Sequence, residues 1–243
     1  MTYNVHGCVG LDRRLDVERV AAVIAREAPD VVALQELDVN RARSGGVDQA
    51  RAIAERLGMA VSFNSALIRV RVAEERYGDA ILSRLPMRAV RSGPLPRPPG
   101  VPGLEDRGAL WCEVELAAGA RLQVVNTHLG LVPLEQRLQV SALLGAEWMA
   151  AAARIGPALL LGDFNATTRY AAYRRLRAAL ADLQVGLAPT ALATYPARLP
   201  VLRIDHLFAT PGVRALDVWA PNGRLARTAS DHLPLVADLE VES

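Results

Sequence analysis

Apolar positions along this chain repeat with two different periods, and the points where the period switches mark its elements. Val17, Val20, Ala21 and Ile24 recur at helical spacing, with Asp16 placed to cap the first turn and Pro29 to stop the helix. Val31 to Leu34 follow as a short apolar run that reads as a buried strand. Ala50, Ile53, Ala54 and Leu57 predict a second helix ending at Gly58, and a strand returns at Ala80 to Leu82. From Leu110 the pattern is strict alternation: Leu110, Cys112, Val114 and Leu116 share one face, and Trp111, Glu113 and Glu115 the other. A turn at Ala118-Gly119 leads into Leu122 to Asn126, which makes the pair a β-hairpin.

Pro133 opens a long amphipathic helix expected to reach about Ala153. Ala158 to Leu161 is a buried strand, and Tyr170 to Leu183 reads as another helix. Arg203–Ala209, Ala215–Trp219 and Leu233–Val241 are strand candidates. Strands and helices interleave early, while hairpins occupy the middle and the end, which favours two packed sheets with helices outside over one parallel sheet. The proline-rich stretch Gly93 to Gly103 is expected to be a stiff surface loop between strands. No repeat or linker interrupts the series, so residues 1–243 read as one domain.

Composition narrows this to a folded globular protein: 51% of residues are hydrophobic and 22% charged. Basic residues exceed acidic ones by 28 to 26, a net charge of +2, which is not the broad basic field of a dedicated nucleic-acid binder. All of the bases are arginine, which fits either genomic base composition or a preference for forked donors suited to phosphate. Cys8 and Cys112 lie too far apart in sequence to suggest a disulfide framework or a zinc knuckle. No apolar run approaches the roughly 18 residues of a membrane span, and the start lacks a signal-peptide pattern. A cytoplasmic monomer without stable membrane insertion is therefore expected, with secretion left open if a leader lies upstream of Met1.

The polar residues that break folding logic sit at strand ends. They are Asn4, Glu36, His128, Asp163, Asn165, Asp205, Asp231 and His232. Each alone is explicable as an Asx turn, a helix cap or a structural histidine. With His206 beside Asp205 they include three of the four histidines, and strand ends in layered α/β folds converge on one crevice. Carboxylate and amide oxygens suit a hard divalent cation, and an Asp beside a His suits an acid-oriented general base. Metal, base and phosphate donors in one crevice describe phosphoester hydrolysis.

The series Thr-Tyr-Asn-Val (2–5), Leu-Gln-Glu (34–36), Tyr-Gly-Asp-Ala-Ile-Leu-Ser-Arg (77–84), Asn-Thr-His-Leu (126–129), Gly-Asp-Phe-Asn (162–165), Ile-Asp-His-Leu-Phe (204–208) and Ser-Asp-His-Leu-Pro (230–234) resembles the endonuclease/exonuclease/phosphatase superfamily. That group includes pancreatic-type deoxyribonuclease, abasic-site endonucleases, inositol-polyphosphate 5-phosphatases and neutral sphingomyelinases. The resemblance implies an α/β fold, a four-layer α/β/β/α sandwich of two packed mixed β-sheets flanked by helices, with the site in a cleft at one edge of the sheets. It implies Mg²⁺ as cofactor, with Mn²⁺ able to substitute. Glu36 resembles the principal metal carboxylate, with Asn4 and Asp231 near the same ion. His232 matches the histidine paired with Asp205, which activates water or contacts the scissile phosphate. Asp163 and Asn165 match residues that orient the nucleophile and donate to phosphate, and His128 matches a phosphate-contacting histidine. Glu75 resembles the acid that supports that histidine in the deoxyribonuclease branch, and Tyr77 would then be a phosphate hydroxyl donor. His206 is expected either to line the cleft or to pack. His6 lies two residues after Asn4, on the same side of an extended strand, and is open to a metal-proximal or a structural role.

Substrate is less legible. The chain is short and has no obvious wedge to grip a duplex, and its densest basic cluster, Arg174, Arg175 and Arg177, reads as a solvated helix face or a phosphate track. Gly45-Gly46-Val47-Asp48-Gln49-Ala50, Asn126-Thr127-His128-Leu129-Gly130-Leu131 and Tyr195-Pro196-Ala197-Arg198 look like a compact bacterial branch. The expected reaction is metal-assisted hydrolysis of a small phosphodiester or phospholipid headgroup. Two alternatives stand beside it: a DNA or RNA nuclease of the same group, and a non-catalytic binding protein on the same fold.

Overall fold

Two sheets stack face to face through the apolar faces of the alternating segments. The computed structural model describes residues 1–69, 75–187 and 192–242. The first sheet has the order β1-β2-β4-β3, formed by Thr2–Asn4, Val31–Val39, Glu75–Ser83 and Ala60–Arg69 respectively; β1 and β2 are parallel and the other pairs antiparallel. The second contains β5 (Met87–Pro94), β6 (Gly108–Glu115), β7 (Arg121–His128), β8 (Ala158–Asp163), β10 (Asp205–Ala209) and β9 (Ala181–Asp182), in that spatial order. Here β7 and β8 are the parallel pair. A two-stranded ribbon, β11 (Val213–Trp219) with β12 (Val236–Val241), is tethered to β1 through a Thr2–Leu235 bridge.

Between the sheets, Ala33 and Ile81 meet Leu110, Cys112, Val124, Leu159, Leu161 and Leu207. On the outer side of the first sheet, α1 (Val17–Glu27) and α2 (Gln49–Leu57) bury Val20, Ile24, Ile53 and Ala54 against Tyr3, Leu34 and Leu82, with α6 (Arg224–Ala229) beside them. On the outer side of the second, α3 (Pro133–Leu143), α4 (Met149–Ile155) and α5 (Ala171–Ala179) cover Trp111, Val125, Leu160 and Phe208. The layers run α/β/β/α, as expected from the sequence. Asp16 and Asp48 cap α1 and α2 by accepting from the backbone N–H three residues on. Among the described residues, no helix is long and apolar enough to cross a membrane.

Several boundaries differ from the sequence pattern. The helix expected from Pro133 to Ala153 is two helices, broken where Trp148 leaves helical geometry and buries its indole in the outer core. The helix expected from Tyr170 to Leu183 stops at Ala179, because the following residues enter β9 and Asp182 accepts from the Tyr173 hydroxyl. The proline-rich stretch begins inside β5, whose alternation is mostly polar and therefore gives no apolar signal. Neither β3 nor α6 stands out in the pattern. The strand from Val31 continues past Leu34 to Val39 through an irregularity, and that irregularity shapes the site.

Candidate active site

The parallel pairs of both sheets end at the same edge, which brings the polar strand ends together. Asn4 ends β1, paired with Gln35, and the β2–β4 register shifts between Leu34 and Leu37. Within that shift Glu36 has φ 62°, a left-handed conformation uncommon outside glycine, and such irregularities re-aim side chains. In the second sheet His128 on β7 is in register with Asp163 on β8, and Asp163 with Asp205 on β10. Gly162 explains the start of Gly-Asp-Phe-Asn: at φ 146°, a Cβ there would lie 1.8 Å from the Thr127 carbonyl oxygen. Asn165 adopts φ 47°, which asparagine tolerates, and its N–H donates to Asp163 Oδ1 at 2.9 Å.

Asn4 joins the two sheets. Its side-chain amide donates to Glu36 Oε1 (2.9 Å) and to Asp163 Oδ2 (3.0 Å), while its carbonyl oxygen accepts from the His6 N–H (3.0 Å). His232 Nδ1 is 2.9 Å from Asp205 Oδ2, which also accepts from the Thr194 hydroxyl, and His232 Nε2 lies 3.6 Å from Asp163 Oδ2. The Tyr195 ring packs on His232 with centroids 4.8 Å apart. His128 Nε2 is 3.5 Å from Asp163 Oδ2 and 3.0 Å from the Asn165 amide nitrogen, which donates to the Leu129 carbonyl. Asp231 completes the rim: His6 Nδ1 stands 3.6 Å from both Asp231 Oδ2 and Glu36 Oε2.

These contacts set the charge states. Burial works to raise the Glu36 pKa, but His6, His128 and Asn4 outweigh it and hold the carboxyl well below its usual range. Burial alone would lower the His232 pKa; the carboxylates of Asp205 and Asp163 overcome it and push the imidazole up to about 10. Asp163 moves up, driven by its own burial. His128 moves down, through burial and the nearby Arg107 guanidinium. Glu36 is thus a fixed anion, while Asp163, Asp205 and His232 form an array that holds a proton tightly.

One expectation requires correction, and one left open is decided. Glu75 does not support His128. Its carboxylate accepts from the Ala42 N–H at 3.3 Å, and the His128 Nδ1 position is taken by Arg107 Nη1 at 2.9 Å. His206 does not line the cleft. Adjacent residues on a strand face opposite ways, so Asp205 points to the site and His206 to the outer core, where it packs edge-on to Phe164 and hydrogen-bonds the Ala166 carbonyl at 2.8 Å. Tyr77 does reach the cleft, a space of 660 Å³ that His6, Glu36, Asp38, Arg41 and Arg43 also line, and both arginines lie against its ring. Arg174 and Arg175 stay with the helix layer, donating to the Arg169 carbonyl and the Ser141 hydroxyl. Arg107 and Thr194 were not legible as site residues, since neither belongs to a strand-end motif.

The donor chemistry fits a divalent cation. Glu36 and Asp231 offer carboxylate oxygens on one side of the cleft, with His6 between them. Donor atoms of Asp163, Asp205 and His232 also lie within 4.8 Å of one another. That second group is already joined internally by the Asp205–His232 and Thr194–Asp205 hydrogen bonds, so it suits proton transfer better than ion binding.

The sequence model of the endonuclease/exonuclease/phosphatase family matches residues 1–232. No curated protein matches the chain. Among solved structures, an endonuclease/exonuclease/phosphatase from Beutenbergia cavernae superposes with a TM-score of 0.78 at 26% identity, covering 100% of this chain and 71% of that one. Two more distant structures share the fold. A mannosyl-6-phosphatase from Bacteroides thetaiotaomicron has a TM-score of 0.76 and 18% identity over 98% of this chain and 97% of that one. D. rerio TDP2, complexed with single-strand DNA product, has a TM-score of 0.71 and 20% identity over 99% of this chain and 97% of that one.

Proposed function

Because the chain belongs to the endonuclease/exonuclease/phosphatase family, we propose that it is a divalent-metal-dependent phosphoesterase acting on a small phosphodiester or a phospholipid headgroup. The observation that carries this reading is the proton-holding array of Asp205, His232 and Asp163 facing the anionic Glu36 across the Asn4 amide. Glu36 and Asp231, with Asn4 orienting Glu36, would hold the ion. A bound divalent cation supplies charge stabilisation to the phosphoryl oxygens and the leaving oxygen.

The remaining steps belong to side chains. Water bonds to phosphorus as the bond to the leaving oxygen breaks, and the water's proton passes to the array of His232 and Asp163. Asp205 holds the His232 ring through Nδ1 and stabilises its imidazolium, which leaves the neighbouring Asp163 carboxylate as the acceptor of that proton. Asn165 and the Nε2–H of His128 donate to non-bridging oxygens, and Tyr77 supplies a hydroxyl at the cleft wall. Arg41 and Arg43, which line the cleft beside Tyr77, suit a substrate that carries more than one anionic or polar group.

Bis-p-nitrophenyl phosphate, p-nitrophenyl phosphate, sphingomyelin and plasmid DNA, each with Mg²⁺, Mn²⁺ or EDTA, test the proposal. Cleavage of the diester or the lipid, abolished by EDTA and reduced by about 10³-fold or more in His232→Ala and Glu36→Ala, is expected. Cleavage of plasmid alone would replace it with the nuclease reading. Four intact substrates with either metal would overturn it.

A further inference from the structure

Three of the four histidines have settled duties: His128 faces Arg107, His206 the Ala166 carbonyl and His232 Asp205. His6 is different. It is half exposed, lines the 660 Å³ cleft and places Nδ1 3.6 Å from one oxygen each of Glu36 and Asp231. Those carboxylates come from distant parts of the chain, and both reach this ring. The backbone is bent to put it there, since His6, Gly7 and Cys8 have φ values of 48°, 60° and 59°. The turn is held by the Gln49 amide donating to the Gly7 carbonyl at 2.6 Å.

We infer that His6 is a nitrogen ligand of the catalytic ion, and that the Glu36–His6–Asp231 face takes a first-row transition ion such as Mn²⁺, Co²⁺ or Zn²⁺ in preference to Mg²⁺. Donors bound to one such ion at about 2.0–2.2 Å lie roughly 3–3.6 Å apart, so each His6–carboxylate separation already fits, and the more widely spaced Glu36 and Asp231 would close toward Nδ1 as the ion binds. Without the ion, the ring bridges the two carboxylates. With it, the Nδ1 lone pair turns from the carboxylates to the ion. Imidazole is a poor ligand for Mg²⁺, which prefers oxygen and keeps its waters, and a good one for the later divalent ions. The Asn4 side-chain oxygen accepts from the His6 N–H, which ties the turn carrying the ring to β1.

The inference rests on the metal-dependent reading above, and the experiment separates the two. Ion-free wild type, His6→Asn and Glu36→Gln are titrated with Mn²⁺ and competed with Mg²⁺, and bound Mn²⁺ is examined by pulsed electron paramagnetic resonance for coupling to ¹⁴N. Asparagine tolerates the left-handed backbone at this position and keeps an oxygen donor, and circular dichroism checks that the variants fold. Wild type should show ¹⁴N coupling that His6→Asn lacks, and the preference for Mn²⁺ over Mg²⁺ should fall at least tenfold in that variant. Coupling that is absent from wild type, or that persists in His6→Asn, overturns the nitrogen ligand while leaving the metal reading standing, provided Glu36→Gln weakens Mn²⁺ binding. Failure of wild type to bind either ion overturns both.

Discussion

His206 is neutral in the folded protein because burial among Phe164, Tyr173 and Phe208, with the nearby Arg203 guanidinium, lowers its pKa to about 4. These outweigh the Nε2–H donation to the Ala166 carbonyl, which favours the charged ring. The unfolded chain takes up a proton near pH 6.5, so the contribution of this neutral ring to stability is complete above that pH and declines as pH falls towards 4. Between pH 8 and pH 5 the loss from this residue is roughly 2 kcal/mol. Urea unfolding at the two pH values should show a shallower decline in His206→Phe than in wild type; equal slopes would assign the acid sensitivity elsewhere. Arg107 acts on the other side of the sheet. A guanidinium has no acceptor, so Nδ1 of His128 accepts and the ring proton resides on Nε2. Arg107→Met should release that tautomer, visible in ¹⁵N spectra of the imidazole. It should lower kcat by roughly tenfold with little change in KM, the worth of one charged hydrogen bond to phosphate. An unchanged tautomer would show that Arg107 only packs.

At the level of elements, the site depends on strands that depart from regularity. The shift in β2 points Glu36 into the cleft, and the close approach of β8 to β7 sets His128 beside Asp163. Gly162 makes that approach feasible. Gly162→Ala would drive a methyl group into the Thr127 carbonyl and force an unfavourable φ, so a loss of about 3 kcal/mol or more is expected, read as a lower unfolding midpoint. A variant as stable as wild type would mean that β8 shifts freely. The α3–α4 break has a comparable origin: local periodicity continues across it, but burial of Trp148 is worth more than one further helical turn.

Across the whole molecule, the two sheets are clamped just below the site by Asn126. From β7 it donates to the Leu34 and Ala80 carbonyls, at 2.9 Å each, and accepts from the Gln35 amide at 2.8 Å. All of this is buried, and leaving those partners unsatisfied is costly. Asn126→Leu is expected to lose roughly 3 kcal/mol in urea unfolding and to lower activity with it, because the Asn4–Asp163 link spans the same interface. Wild-type stability would make the clamp incidental. The sequence by itself determined what local rules can carry: the capped helices α1 and α2, the β6–β7 hairpin, and the strand-end residues Asn4, Glu36, His128, Asp163, Asn165, Asp205 and His232, whose polarity is conspicuous beside apolar runs. Only the tertiary structure decided that Arg107 rather than Glu75 faces His128, that His206 turns away from the cleft, and that His6 stands between Glu36 and Asp231. Periodicity reports which side of its own element a residue occupies. Which side chains meet across the cleft depends on strand register and on irregularities such as the one at Glu36, and these are fixed by packing between segments far apart in the chain.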